Sequence, residues 1–297
     1  MAALIPDNIA TRPIAIIGAG TLGRRIGLML CTQGAEVRLY DTRPASAQQA
    51  VDYIGGALPA LLPTIANGRA GPLVATSDLP TAVEDAWLII EAVPEIPNLK
   101  RSVLANLDKL APGDAIIASN SSSYPSGELI ADVRNVERVL TTHFYMPPRV
   151  LPVEVMASDK TDDAIVQLLM RQLPLYGVIP FQVRKESVGL IFNRVWAAIK
   201  RESLEVVAEG VTTPEELDTL FNLIVGGSFG PFRNMDQVGL DVVLAIEEHY
   251  AQTRPGLPEA PRDLLKRYVE KGRLGVKTGH GFYDDYDAPA GAGGAAS

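Results

Sequence analysis

Residues 13–23 read PIAIIGAGTLG, an apolar run that ends in glycines at Gly18, Gly20 and Gly23, and this segment restricts the fold more than any other. The run suits a strand buried on both faces, and residues 21–34 then carry apolar side chains at helical spacing. The glycines therefore occupy a strand-to-helix turn. Gly18 permits the tight turn, Gly20 lets a ligand approach the backbone, and Gly23 lets helix and strand pack closely. A second strand, Glu36–Tyr40 (EVRLY), ends at Asp41. That is the spacing of a dinucleotide loop, in which Gly18, Gly20, Thr21, Leu22 and Gly23 hold a pyrophosphate at a helix N-terminus. A carboxylate at Asp41 would accept hydrogen bonds from a ribose 2′-hydroxyl, which points to NAD. Arg43 nearby keeps NADP open, and a purely structural turn with packing glycines is the alternative.

Further strands are expected at Trp87–Glu91, Ala115–Ser119, Val139–Phe144 and Val153–Met156. Strands separated by helices predict an α/β fold with a Rossmann-type, doubly wound parallel sheet. From Ser187 to about Tyr250 the pattern becomes helical throughout. Thr213-Pro214-Glu215-Glu216 has the chemistry of a helix start: a hydroxyl cap, proline in the first turn, then acids. The shift near Lys185 divides the chain into a dinucleotide-binding domain at 1–185 and a smaller all-helical domain at 186–286. Residues 287–297, nearly all Ala, Gly, Pro and Ser, are expected to form a disordered tail.

A formal charge of −8 lacks the cationic excess that nucleic-acid binding needs. No apolar run is long enough to span a bilayer, and the first residues lack a secretory pattern. A soluble protein is expected, in the cytoplasm or an organelle lumen, with neither nucleic acid nor membrane as partner. The single cysteine, Cys31, follows Leu28-Met29-Leu30 and suits a buried thiol. No metal site is expected.

A dinucleotide fold leaves the substrate open. Hydride transfer at an alcohol carbon needs a group that exchanges a proton with the oxygen, and histidine suits that task near neutrality. The chain has three histidines. His249 belongs to a helical EEHY stretch, expected on a solvated face, and His280 to a glycine-rich turn. His143 closes the VLTTHF strand before the loop expected at Pro147-Pro148, at the strand end where open sheets bind ligands. Glu154, between Val153 and Val155, could orient the imidazole as a triad acid does, or could be an exposed strand position.

Several segments together resemble the 3-hydroxyacyl-CoA dehydrogenase family over the whole ordered chain. They are IIGAGTLGRRIG, EAVPE with Lys100, SNSSS, HFYMP, PVEV, SVGLIFNR, GPFRNMDQVGLD and GVKTGHGFY. The resemblance implies NAD, His143 as catalytic base, and Glu154 as its partner. It also implies Ser122 as a donor to the substrate oxygen and Asn193 as a helical-domain residue of the same site. Glu95 and Lys100 would line the nicotinamide side and Asn120 the substrate side. Read without the resemblance, the serines suit a helix cap and Asn193 a buried polar residue. A small-molecule substrate, a homodimer and a place in fatty-acid metabolism belong to the same implication.

Two departures bear on the substrate. The family usually continues His-Phe-Phe-Asn-Pro, whereas here Met146 replaces the asparagine, and Glu154 falls one residue early. The segment Pro44–Pro72 lacks lysine, has Arg69 as its only cation, and is expected to be broken at Pro59 and Pro63. A CoA phosphate favours nearby cations. A substrate without CoA therefore stays open beside an acyl-CoA: a free 3-hydroxy acid such as L-gulonate, a small ketone or an imine. Features shared with the L-gulonate dehydrogenase and λ-crystallin branch point the same way.

Overall fold

The computed structural model describes residues 4–227 and 230–286, so the tail expected at 287–297 lies outside the described residues. The chain divides into two compact units, Met1–Ile191 and Phe192–Ser297. The boundary lies beyond Lys185. Part of the reason is that the segment past Lys185 bonds into the sheet, Ser187 N to Met156 Sδ and Ile191 N to Glu154 Oε1.

The first unit is built on β1 (Ile14–Ile17), β2 (Val37–Tyr40), β3 (Leu73–Thr76), β4 (Leu88–Glu91), β5 (Ile116–Ser119), β6 (Val139–Met146), β7 (Val150–Ala157) and β8 (Ile179–Val183). Its helices are α1 (Thr21–Leu30), α2 (Pro44–Leu61), α3 (Leu79–Val83), α4 (Pro97–Leu110), α5 (Ser126–Leu129) and α6 (Asp163–Gln172). The sheet order is β3-β2-β1-β4-β5-β6-β7-β8. The order reverses between β1 and β4, the switch point where open sheets leave a crevice at their carboxyl ends. Side chains of β1 alternate between two cores. Ile14 and Ile16 pack with apolar residues of α1, α2 and α6. Ala15 and Ile17 pack with those of α3 and α4.

Two features differ from the sequence expectation of a parallel sheet with six strands. First, β6 and β7 are antiparallel, because residues 147–149 are too few for a crossover. The link contains a cis peptide between Pro147 and Pro148. Second, β3 and β8 escape the sequence pattern. Both lie at the sheet's edges, β3 is only half-buried along its length, and β8 contains Pro180, a residue that edges tolerate.

The expected break at Pro59 does not occur, and α2 runs unbroken to Leu61. Proline in the last turn deprives only the carbonyl four residues back of its donor. That carbonyl belongs to Gly55, a position open enough that a Cβ there would touch nothing within 4 Å. Pro63 lies in the short 3-10 turn Leu62–Thr64. Cys31 is fully buried, and desolvation pushes its thiol up to about 12.

The second unit contains α7 (Phe192–Ala208), α8 (Pro214–Phe221), α9 (Pro231–Val238), α10 (Leu240–Thr253) and α11 (Ala260–Val269). The start of α8 is the capping box anticipated at Thr213, with Glu216 returning the bond. Leu204, Phe232, Met235, Leu240, Val243, Leu265 and Phe282 form its core. The closing GHGFY stretch is fastened by buried Asp236, which accepts from the amides of Phe282 and Tyr283 and from the Tyr286 hydroxyl. His249 is half-buried rather than on a solvated face. Among the described residues, no helix is long and apolar enough to cross a membrane.

Candidate active site

A cleft of about 750 Å³ opens at the carboxyl ends of the strands in the first unit. Gly18, Gly20, Thr21, Leu22, Asp41, Glu95, Asn120, Ser122, His143 and Tyr145 all line it.

At one end stands the glycine loop. Gly18 has φ +108°, and a Cβ there would come within 2.6 Å of the Ala92 carbonyl oxygen, just past the end of β4, the neighbouring strand at the switch point. A Cβ on Gly23 would lie 1.9 Å from the Gly18 carbonyl oxygen, so helix and turn close only on glycine. Gly20 differs from both. A Cβ there would meet nothing within 4 Å, and no side chain caps the amides that open α1. Bare backbone donors beside free space suit a pyrophosphate, so the residues present fit a dinucleotide. Asp41 follows β2 directly; its carboxylate accepts from Ala19 N at 3.2 Å and Arg43 N at 3.0 Å. The Arg43 guanidinium is 81% exposed and 3.8 Å away.

A buried polar network supports the middle of the cleft. Glu91 ends β4 and is fully buried. It accepts from Lys100 Nζ (2.9 and 3.2 Å), from Ser119 Oγ (2.6 Å) and from Val93 N (2.8 Å). Lys100 Nζ also lies 3.2 Å from Glu95 Oε2. The other oxygen of Glu95 accepts from Ser121 Oγ at 2.7 Å and from the amides of Ser122 and Ser123. One carboxylate thus shapes the whole serine loop. Here a site expectation needs correction: Lys100 does not line the cleft. It is 1% exposed, because its charge is taken up by two carboxylates beneath the cleft wall.

At the other end is the β6–β7 hairpin. His143 and Glu154 are direct cross-strand partners. Nδ1 of His143 lies 3.1 Å from Glu154 Oε2, and both residues are buried. The early position of Glu154 in the sequence therefore coincides with a direct pairing. The Tyr145 hydroxyl donates to the same Oε2 at 2.8 Å, and Ile191 N donates to Oε1 at 2.8 Å. Tyr145 stacks at a tilt against the imidazole, ring centres 4.4 Å apart. Burial and then the bond to Glu154 push its phenol far above the usual range. Asn120 Oδ1 accepts from Phe144 N at 2.8 Å, tying the end of β5 to β6. Met146 is 40% exposed at the hairpin's end.

Asn193 stands in the first turn of α7, in the second unit, and is half-buried. Three polar residues escaped the sequence reading: Glu91, Ser119 and Tyr145. Glu91 had a signal, a carboxylate closing the apolar LIIE strand. Tyr145 is two residues from His143 and so on the same strand face, a relation that needs only the strand assignment.

Comparison with known proteins bears on this site. The profile described as 3-hydroxyacyl-CoA dehydrogenase, NAD binding domain, matches residues 13–187, and that of the family's C-terminal domain matches 189–285. A 5-formyl-3-hydroxy-2-methylpyridine 4-carboxylate 5-dehydrogenase of Mesorhizobium japonicum is 32% identical over 279 residues, 92% of this chain and 90% of its own. The crystal structure of (S)-3-hydroxybutyryl-CoA dehydrogenase from Ralstonia eutropha superposes with a TM-score of 0.82 at 28% identity, covering 93% of this chain and 99% of that one. A diketoreductase structure, described as catalysing dicarbonyl compounds, gives 0.75 at 29% identity, covering 95% and 99%.

Proposed function

The chain belongs to the 3-hydroxyacyl-CoA dehydrogenase family, as an NAD-dependent oxidoreductase acting on CH–OH groups, and from that premise we propose that it interconverts a 3-hydroxyacyl-CoA and its 3-oxo form through a His143–Glu154 pair. The observation that carries this reading is the buried cross-strand contact of His143 with Glu154 at the cleft. When bound, NAD supplies the hydride acceptor; Gly18, Gly20, Thr21 and Leu22 would hold its pyrophosphate and Asp41 its ribose.

The chain's own residues handle the proton. With Nδ1–H committed to Glu154, the imidazole presents Nε2 as a base to the substrate hydroxyl. The proton moves to Nε2 as the carbinol carbon gives up hydride, and Glu154 stabilises the imidazolium that results. Ser122, on the loop shaped by Glu95, would donate to the oxygen where charge develops. Lys100 takes no part in contact; it fixes Glu95 and so the serine loop.

A second reading, a substrate without CoA, has a specific observation behind it. Arg69, the only cation between Pro44 and Pro72, donates to the Gln33 carbonyl at 3.3 Å and packs over Gly34, just before β2 begins. It is occupied at the strands' amino ends, away from the cleft. Two similar proteins are named for a pyridine carboxylate and for dicarbonyl compounds.

NADH oxidation with acetoacetyl-CoA, acetoacetate esters, simple ketones and cyclic imines separates the two readings. Turnover of acetoacetyl-CoA, reduced by about a hundredfold or more in His143→Ala, supports the first. Inert acetoacetyl-CoA beside a reduced smaller carbonyl or imine selects the second. Undiminished turnover in His143→Ala rejects the shared mechanism. A homodimer belongs to the first reading and is checked by light scattering.

A further inference from the structure

Glu154 accepts from several donors through its two oxygens. Oε1 serves the Ile191 amide, while Oε2 is shared by His143 Nδ1 at 3.1 Å and the Tyr145 hydroxyl at 2.8 Å. A carboxylate oxygen that already accepts a strong bond offers less to a second donor. We propose that Tyr145 is a positioning residue of the His143–Glu154 pair: it holds Glu154 Oε2 in place and, by sharing that oxygen, limits how strongly the carboxylate stabilises the imidazolium.

Three geometric facts support this. Tyr145 shares a strand face with His143, two residues away on β6. Its ring lies against the imidazole, so hydroxyl and ring fix the pair from one side. The β6–β7 register shifts between Phe144 and Met146, so the strand is irregular where Tyr145 sits yet keeps both bonds to Glu154. Among the described residues of the first unit, the groups around the pair come from several elements. From β6 come His143 and Tyr145. From β8 the residue opposite Glu154 is the apolar Phe181. The stretch before α7 contributes the uncharged Ile191 amide. Arg25 of α1 donates to the Pro147 carbonyl, and Glu95 on the cleft wall is bound to Lys100 and the serine loop.

The inference rests on His143 being the acid–base group, and its test is independent of turnover. With three histidines in the chain, ring-nitrogen NMR follows each one through a pH titration, and His143→Gln identifies the signal of interest. In Tyr145→Phe the tyrosine bond to Oε2 is gone, so that oxygen stabilises the imidazolium more strongly and it forms more readily. The midpoint of the His143 signal is expected to rise by about half a pH unit or more. In a Glu154→Gln background the same Tyr145→Phe change should move it by less than half as much, since the effect runs through the carboxylate.

An unmoved midpoint in Tyr145→Phe, or an equal shift in both backgrounds, overturns the proposal and leaves Tyr145 as packing. If Tyr145→Phe does not fold, incorporation of 3-fluorotyrosine replaces it. The more acidic phenol is a stronger donor and should lower the midpoint, and no change there also overturns the proposal. Loss of the His143 role in turnover would instead show as an active His143→Ala, whatever the titration gives.

Discussion

Between Gly18 and Gly23 the cleft is made by leaving atoms out, whereas along β6 and β7 it is made by burying charged ones. The glycine loop is local: six consecutive residues, a strand before and a helix after, with Gly18 against the Ala92 carbonyl, Gly23 against the Gly18 carbonyl and Gly20 beside open space. The hairpin is a matter of register, since His143 and Glu154 meet only because the strands pair at that offset. The loop tolerates change according to what a Cβ would strike. The hairpin tolerates change according to how many donors lose an acceptor. A substitution therefore reads out as sterics at one end of the cleft and as unsatisfied polarity at the other.

The largest expected effect breaks the hairpin side. Glu154→Ala removes the acceptor shared by His143, Tyr145 and the Ile191 amide. Turnover should fall by about a hundredfold or more, and the unfolding free energy by about 3 kcal/mol, because buried donors are left unpaired. Denaturant unfolding and steady-state kinetics measure the two losses, and an unchanged unfolding midpoint would count against the network.

Next comes Gly23→Ala, whose Cβ would lie 1.9 Å from the Gly18 carbonyl oxygen. Backbone must move, at a cost of about 2 kcal/mol, and NAD affinity should fall with it. Thermal unfolding without cofactor shows the first part, and a melting point equal to wild type would refute the close approach.

The smallest effect sharpens the comparison within the loop itself. Gly20→Ala puts the same methyl group into space that the protein leaves open. Stability should stay within about 0.5 kcal/mol, while NAD binding should weaken by about tenfold, the methyl group standing where the pyrophosphate is proposed to approach. Calorimetric titration with NAD separates this outcome from that of Gly23→Ala; equal stability losses at both positions would erase the distinction.

Much of this is legible in the sequence. The strand, the three glycines and Asp41 are neighbours in the chain or nearly so, and local geometry follows from them. His143 could be singled out because it is expected to close a strand, although β6 continues past it to Met146, and the capping box at Thr213 because capping is a local matter. Other features were hidden for identifiable reasons. Lys100 is expected to line the nicotinamide side until Glu91 and Glu95 are seen to enclose it. Pro59 reads as a helix breaker until its place in the last turn of α2 is known. The half-buried edge strand β3 and the proline-containing β8 carry too weak a pattern to announce themselves.

What the sequence by itself determined is the α/β layout of the first unit, the dinucleotide loop and the helical character of the second, because each depends on periodicity and on the stereochemistry of adjacent residues. Tertiary structure alone decided which donors Glu154 serves, that Tyr145 shares an oxygen with His143, and that Lys100 supports the cleft from beneath. Those facts depend on strand register and on burial, which bring together residues the chain keeps apart, and a polar side chain's role is set by the partners it finds there.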